Sequence, residues 1–215
     1  MAAFSGGKTY HHGDLRNALI CAAVDLATEG GPERVVLREA ARRVGVSPTA
    51  AYRHFDGRGE LLRAVRTHAR RRLADSMERA AAREPGADDP TLAAERRVAA
   101  LCRGYVGFAL DQPGLYRAAF CVPRPAGTAG AAAERQPAEP EIRAFTLLGE
   151  ALEALTRRGT ARQGARAVSG AAAWSAVHGL SLLLVDGPLR RLPVQRRNAV
   201  VETTLAMVVS GARAL

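Results

Sequence analysis

Thr49, Ala50 and Arg53 follow the run Gly45-Val46-Ser47 and lie within a few residues of Tyr52 and His54. A hydroxyl, a methyl and a guanidinium at these positions are groups that meet base edges, while phenol and imidazole hydrogen-bond well to anionic oxygens. Their spacing decides whether they act together. A helix from Pro48 to His54 at 3.6 residues per turn turns Thr49, Ala50 and Arg53 outward, and Ala51 and Phe55 inward. Before it, Leu37–Val44 reads as a second short helix whose Ala40, Ala41 and Val44 face Val46, Ala51 and Phe55. Small residues at that seam let the two helices cross closely. Gly45 supplies the left-handed backbone of the turn, Ser47 is a good N-cap, and Pro48 sits where a first-turn proline is tolerated. Two short helices across a tight glycine turn form a helix-turn-helix, whose second helix fits the major groove of DNA.

A second group of side chains lies further along. Tyr105, Phe108, Tyr116, Phe120, Phe145, Trp174 and His178 include most of the aromatics of a chain that is only 5% aromatic. Gathered in one body, they suit an apolar pocket with a few polar anchors; equally, they suit a packed core. His178, four residues after Trp174 on the same helix face, fits either a bond to a small molecule or a structural bond to tryptophan or backbone. Cys102 and Cys121 could meet electrophiles, although buried thiols are usually inert.

The elements that position these groups read as helices throughout, giving an all-α fold of about nine. Ala, Leu, Arg and Glu dominate, and alternating apolar runs are scarce. Asp14 is the expected cap of a first helix carrying Leu15, Leu19, Ala22, Ala23 and Leu26, ended by Gly30-Gly31-Pro32. Asp56-Gly57 breaks the chain before a long helix from Arg58 to about Arg83, with Leu61, Leu62, Val65, Ala69, Leu73 and Met77 as its apolar stripe. After the Pro85–Pro90 break, helices are expected at 91–111, 114–121, 140–158, 165–186 and 194–213. Val122 to Pro140, rich in Pro, Gly and Ala, reads as a mobile loop. The division is a head at 1–57, a linking helix at 58–84 and a body at 85–215.

Composition narrows the function. The 215 residues hold 31 basic against 21 acidic side chains, a net +10 that favours a polyanionic partner. All but one of the basic residues are arginine, a bias that GC-rich coding alone could produce. No run approaches the ~20 apolar residues of a membrane span, and MAAFSGGKTY lacks the apolar stretch of a secretory signal, so a cytoplasmic location is expected. Three widely spaced cysteines argue against a disulfide scaffold or a thiolate zinc site. No GxSxG, HExxH, P-loop or helix-opening GxGxxG is present, and paired carboxylates on apolar helix faces are absent. Neither catalysis nor a cofactor or metal is expected.

Residues 34–62, RVVLREAARRVGVSPTAAYRHFDGRGELL, closely resemble the DNA-binding head of the tetracycline-repressor (TetR) family of transcriptional regulators. The matches are Ala40-Ala41, Gly45-Val46-Ser47, Tyr52, Phe55 and Glu60-Leu61-Leu62, and the resemblance extends over residues 10–75. Two positions depart from it: Arg58 replaces the usual Lys, and Leu37 replaces a polar residue that would cap or reach a phosphate. A weaker resemblance lies in Trp174-Ser-Ala-Val-His178-Gly179, similar to the Trp-His-Gly motif of one subgroup.

The resemblance implies roles. Tyr52 and His54 would hydrogen-bond phosphates, Arg58 would ion-pair with one, and Arg38 would reach a base edge, with guanine O6/N7 the natural match. His54 could instead cap its own helix. Lys8 and His11-His12 would form an arm, either solvated or laid over the adjacent groove. Arg42 and Arg43 stand equally open between phosphate contact and solvated face, and Arg70-Arg71-Arg72 leans to the latter. The family pattern further implies a near-palindromic double-stranded operator, a small-molecule effector in the body, and release of a repressor from DNA. A ligand-independent architectural protein is the alternative. Leu180, Leu182–Val185, Val200, Val201, Leu205, Val208 and Val209 make the last two helices apolar on more than one face. They point to a homodimer through residues 165–213, with Leu205 in its seam. An effector signal would pass through residues 58–83.

Overall fold

The computed structural model describes residues 12–120, 143–156 and 163–214. Lys8, His11, Cys121 and the Val122 to Pro140 stretch lie outside the described residues. So does the start of the expected helix at 140.

Each helix begins and ends for a local reason. In α1 (His12–Gly30), Leu19, Ala23, Leu26 and Ala27 are fully buried. Asp14 falls inside this helix rather than at its cap, which corrects the expected start. The helix ends at the Gly30-Gly31-Pro32 break, and Gly31 N–H donates to the Ala27 carbonyl at 2.7 Å. In α2 (Leu37–Val44), Leu37, Ala40 and Ala41 are buried. Gly45 then takes a φ of 79° in the left-handed region, and its N–H closes the helix on Ala41 and Arg42. Ser47 Oγ accepts from Ala50 N–H at 3.2 Å and opens α3 (Pro48–Tyr52). This helix stops two residues before His54, in a turn closed by Arg53 N–H on Ala50 and His54 N–H on Ala51.

The long helix α4 (Arg58–Ala82) buries Leu61, Leu62, Val65, Ala69, Leu73 and Met77, the expected stripe. Asp89 caps α5 (Pro90–Asp111) by accepting from Thr91 N–H at 2.8 Å. There follow α6 (Pro113–Phe120), α7 (Arg143–Thr156), α8 (Gln163–Val185) and α9 (Val194–Arg213). Two 3-10 turns, Pro32–Arg34 and Pro188–Arg191, were not expected; each opens with a Gly-Pro pair. Among the described residues there are nine α-helices and no strand, so the all-α expectation holds.

The buried side chains form one continuous core from Leu19 to Ala212. Its axis is α4, which packs on α1, α5, α6 and α7. Head and body are therefore joined by more than a single linker, since α6 also packs directly on α1.

Candidate nucleic-acid interface and effector cluster

Burial of Ala51 and Phe55 fixes how α3 faces outward. Thr49, Tyr52 and Arg53 are exposed, Ala50 and His54 are half-buried, and Arg38 is exposed at the first turn of α2. Neither Arg38 nor Arg53 makes a side-chain ion pair or hydrogen bond among the described residues, so both guanidinium groups face solvent. Leu37 is buried and serves the core.

Other charges of the head are engaged inside it. Arg43 donates twice to Glu29, at 2.7 and 2.6 Å, tying α2 to α1. Arg42 donates twice to Glu39, at 2.9 and 2.7 Å. The Arg42 bond, aided by Arg43, holds the Glu39 carboxyl down at about 2. Both Arg42 and Arg43 are thus paired within the free protein, Arg42 while still largely exposed. Arg58 is engaged too: Nε donates to the Val35 carbonyl at 2.9 Å and a terminal nitrogen to that of Pro32 at 2.7 Å. Arg16 escaped the sequence reading, and Glu60 enters it only as a family match, not for its bonds. Arg16 lies 4.7 Å over the Phe55 ring and pairs with Glu60 at 3.0 Å. Glu60 also accepts from Asp56 N–H at 2.9 Å. Its position three residues after Gly57 was the available signal, as an acidic N3 residue reaches back over a helix start.

In the body, four of the other six expected side chains meet around His178. The Tyr105 hydroxyl is 2.7 Å and the Tyr116 hydroxyl 3.1 Å from its Nδ1. Trp174 stacks almost parallel to the imidazole, at 8° with centroids 6.1 Å apart, and Phe120 meets it edge-on at 4.7 Å. Among the aromatic residues described, Phe145 reaches Trp174 alone, at 5.5 Å, and is partly exposed. Phe108 is buried, but its ring joins none of these contacts among the described residues. Burial pushes the Tyr116 phenol up to about 12 and Tyr105 higher still, and burial lowers His178, so all three are neutral near pH 7. Burial likewise raises the Cys102 thiol to about 12, which makes it a poor nucleophile.

Short α6 connects this cluster to the head. Tyr116 and Phe120 reach His178 from one face. Near its start, Gly114 lies so close to α1 that a Cβ there would sit 2.2 Å from the Ala27 carbonyl oxygen and 2.8 Å from that of Thr28. Arg117 donates to Asp186 beyond the end of α8, at 2.6–3.0 Å. Arg70 Nε, on α4, donates to the Ala119 carbonyl at 3.0 Å, so this arginine binds α6 rather than forming a solvated face.

The last two helices use their apolar residues unequally. Leu180, Leu184, Val185, Val201 and Leu205 are buried within the chain, Leu205 to 1% exposure. Leu205 is therefore core, which corrects its expected place in a seam between chains. Among the described residues of these helices, Leu182 (42%), Leu183 (43%), Val194 (59%) and Met207 (69%) are the large apolar side chains left outside.

Two family profiles match this chain: "Bacterial regulatory proteins, tetR family" over residues 19–65, and "Tetracyclin repressor-like, C-terminal domain" over 98–208. The chain belongs to the tetracycline-repressor family. As such it is a helix-turn-helix transcriptional regulator, and the first profile runs from within α1 into α4. No curated protein matches it. Among solved structures, a Rhodococcus sp. RHA1 protein of unknown function is 28% identical, with a TM-score of 0.68, covering 93% of this chain and 97% of its own. A tetR-family transcriptional regulator from Streptomyces coelicolor, 19% identical at a TM-score of 0.55, covers 94% of this chain and 89% of its own. A TetR-family regulator from Thermus thermophilus, 20% identical at 0.51, covers 89% and 97%. The latter two share the fold of this TetR-family chain. No described helix is long and apolar enough to cross a membrane.

Proposed function

We propose that this TetR-family regulator is a cytoplasmic homodimeric repressor that binds a near-palindromic operator and leaves it when a small molecule enters the body. The observation that carries the reading is α3: a capped helix backed by Ala51 and Phe55, with Thr49, Tyr52 and Arg53 exposed and solvent-facing Arg38 on α2. Arg38, Thr49, Ala50 and Arg53 read bases; Tyr52 and His54 hold phosphates. Residues 1–57 form the reading head, 58–84 the link and 85–215 the body. Leu182, Leu183 and Met207, exposed on α8 and α9, support pairing through 165–213.

The effector site lies at the His178 cluster, with Tyr105, Tyr116, Phe120 and Trp174 around it and Phe145 at its edge, while Phe108 stands buried outside these ring contacts. A ligand can act on DNA only by favouring one of two head arrangements. One that displaces Tyr116 or Phe120 moves α6, and α6 touches both α1 and α4. The signal thus has a path through α6 and α1 besides residues 58–83.

A band shift tests the reading. Wild-type protein should retain a duplex selected from a randomised library, and a metabolite extract of the source cells should release it. Retention that no extract alters would favour the architectural alternative, and failure to select any duplex would end both readings.

A further inference from the structure

Among the described residues no hydrogen bond or ion pair that the structure gives α3 reaches the body, yet both ends of the α2–α3 hairpin are held by one turn of α4. Arg58 spans the carbonyls of Pro32 and Val35, just before α2 begins at Leu37. Glu60, two residues on, accepts from Asp56 N–H just beyond the turn after α3, and from Arg16 on α1. Val35 is fully buried, and Arg58 is the donor to its carbonyl among the described residues. Leaving that carbonyl unpaired is costly, which opposes turning the guanidinium toward DNA. The fixed fork of a guanidinium sets both distance and direction between the elements it bridges; a lysine ammonium can offer a charge there but not the fork.

We infer that Arg58 and Glu60 are positioning residues that index the reading helix to α4, and that Arg58 is not a phosphate ligand. The inference rests on the DNA-binding reading above. Movement of α4 then carries α3 with it as a rigid piece, because its first turn grips the hairpin at entry and exit. Glu60, a carboxylate that repels phosphate, matters to recognition for the same reason.

The two roles of Arg58 part in their salt dependence. Removing one phosphate contact lowers the slope of log affinity against log salt by about 0.9, on any duplex. Removing a strut leaves that slope alone and lowers discrimination between sequences. Full-length wild type, Arg58→Lys, Arg58→Gln and Glu60→Gln would be titrated with a random-sequence duplex and with the duplex that wild type selects from a randomised library, over a range of NaCl. The account expects all three variants to lose tenfold or more of the selected-to-random ratio, with the random-duplex slope unchanged. Rescue by Arg58→Lys, or a slope lowered by about one in Arg58→Gln at an unchanged ratio, would overturn it. If Arg58→Gln melts the head, weak binding to both duplexes exposes that, and Glu60→Gln with Arg58→Lys still decides. A wild type that selects no duplex removes the function and this inference together.

Discussion

The Tyr105 hydroxyl on α5 lies 2.7 Å from Nδ1 of His178 on α8, within a ring of aromatic side chains that holds the imidazole neutral. Two helices are thereby joined by a polar contact inside an otherwise apolar packing. Ser181, one turn further along α8 and fully buried, returns its hydroxyl to the Val177 carbonyl at 2.8 Å, which continues the polar stripe.

The neutral imidazole has a consequence for pH. Burial lowers the His178 pKa in the folded chain, and burial with Arg72 and Arg71 lowers that of His68. Above pH 6.5 neither state is protonated and these groups contribute nothing. As pH falls below 6.5 the unfolded chain takes up protons that the native chain resists, so stability declines. Melting temperature should therefore drop between pH 7 and 5, less so in His178→Gln. Fluorescence of Trp174, the chain's one tryptophan, reports the transition at the site itself. An identical pH profile in His178→Gln would show that the histidine does not titrate with folding.

At Gly114 the clash of an added methyl is with backbone, which cannot swing aside. Gly114→Ala should destabilise the chain by about 1–3 kcal/mol, as overpacking typically does. It should also disturb DNA binding, because α6 is pushed away from α1. Thermal unfolding measures the first and a band shift the second. A fully stable variant would mean that α6 does not sit this close in solution.

Exposure on α8 and α9 separates the proposed seam from the core. Leu183→Glu or Met207→Glu should yield a folded monomer in sedimentation analysis. Leu205→Glu should cost helix content instead, since it buries an unpaired charge within the chain. Dimers persisting in both surface variants would move the interface elsewhere.

On the head, Arg38→Ala should relax preference at one base pair per half-site by about 1–3 kcal/mol. Tyr52→Phe should weaken all sequences alike, because phosphate contacts carry no sequence information. Quantitative binding to single-base variants of the selected duplex distinguishes the two. Equal losses on specific and random DNA for Arg38→Ala would remove it from base reading.

What was legible in the sequence was local. Gly45, Ser47 and Pro48 signal a turn, a cap and a first helical turn within four residues, and α2 matches its expected bounds. The Gly187-Pro188 pair held the same kind of signal for the second 3-10 turn. Partners distant in sequence were not legible. Arg58 meets carbonyls 23 and 26 residues back, and nothing in a string of residue types separates that arrangement from a phosphate contact. Leu205 and Met207 are both apolar in a helix apolar on two faces, so only packing could say which one turns inward. Phe108 and Phe120 likewise read as equals, yet only Phe120 reaches His178.

Sequencing the genomic DNA that co-purifies with the protein tests the central claim most directly. A ligand-responsive operator-binding dimer should enrich a few intergenic stretches that share an inverted repeat, with half-sites about one duplex turn apart. Reads that sample the genome evenly, with no shared repeat, would contradict it.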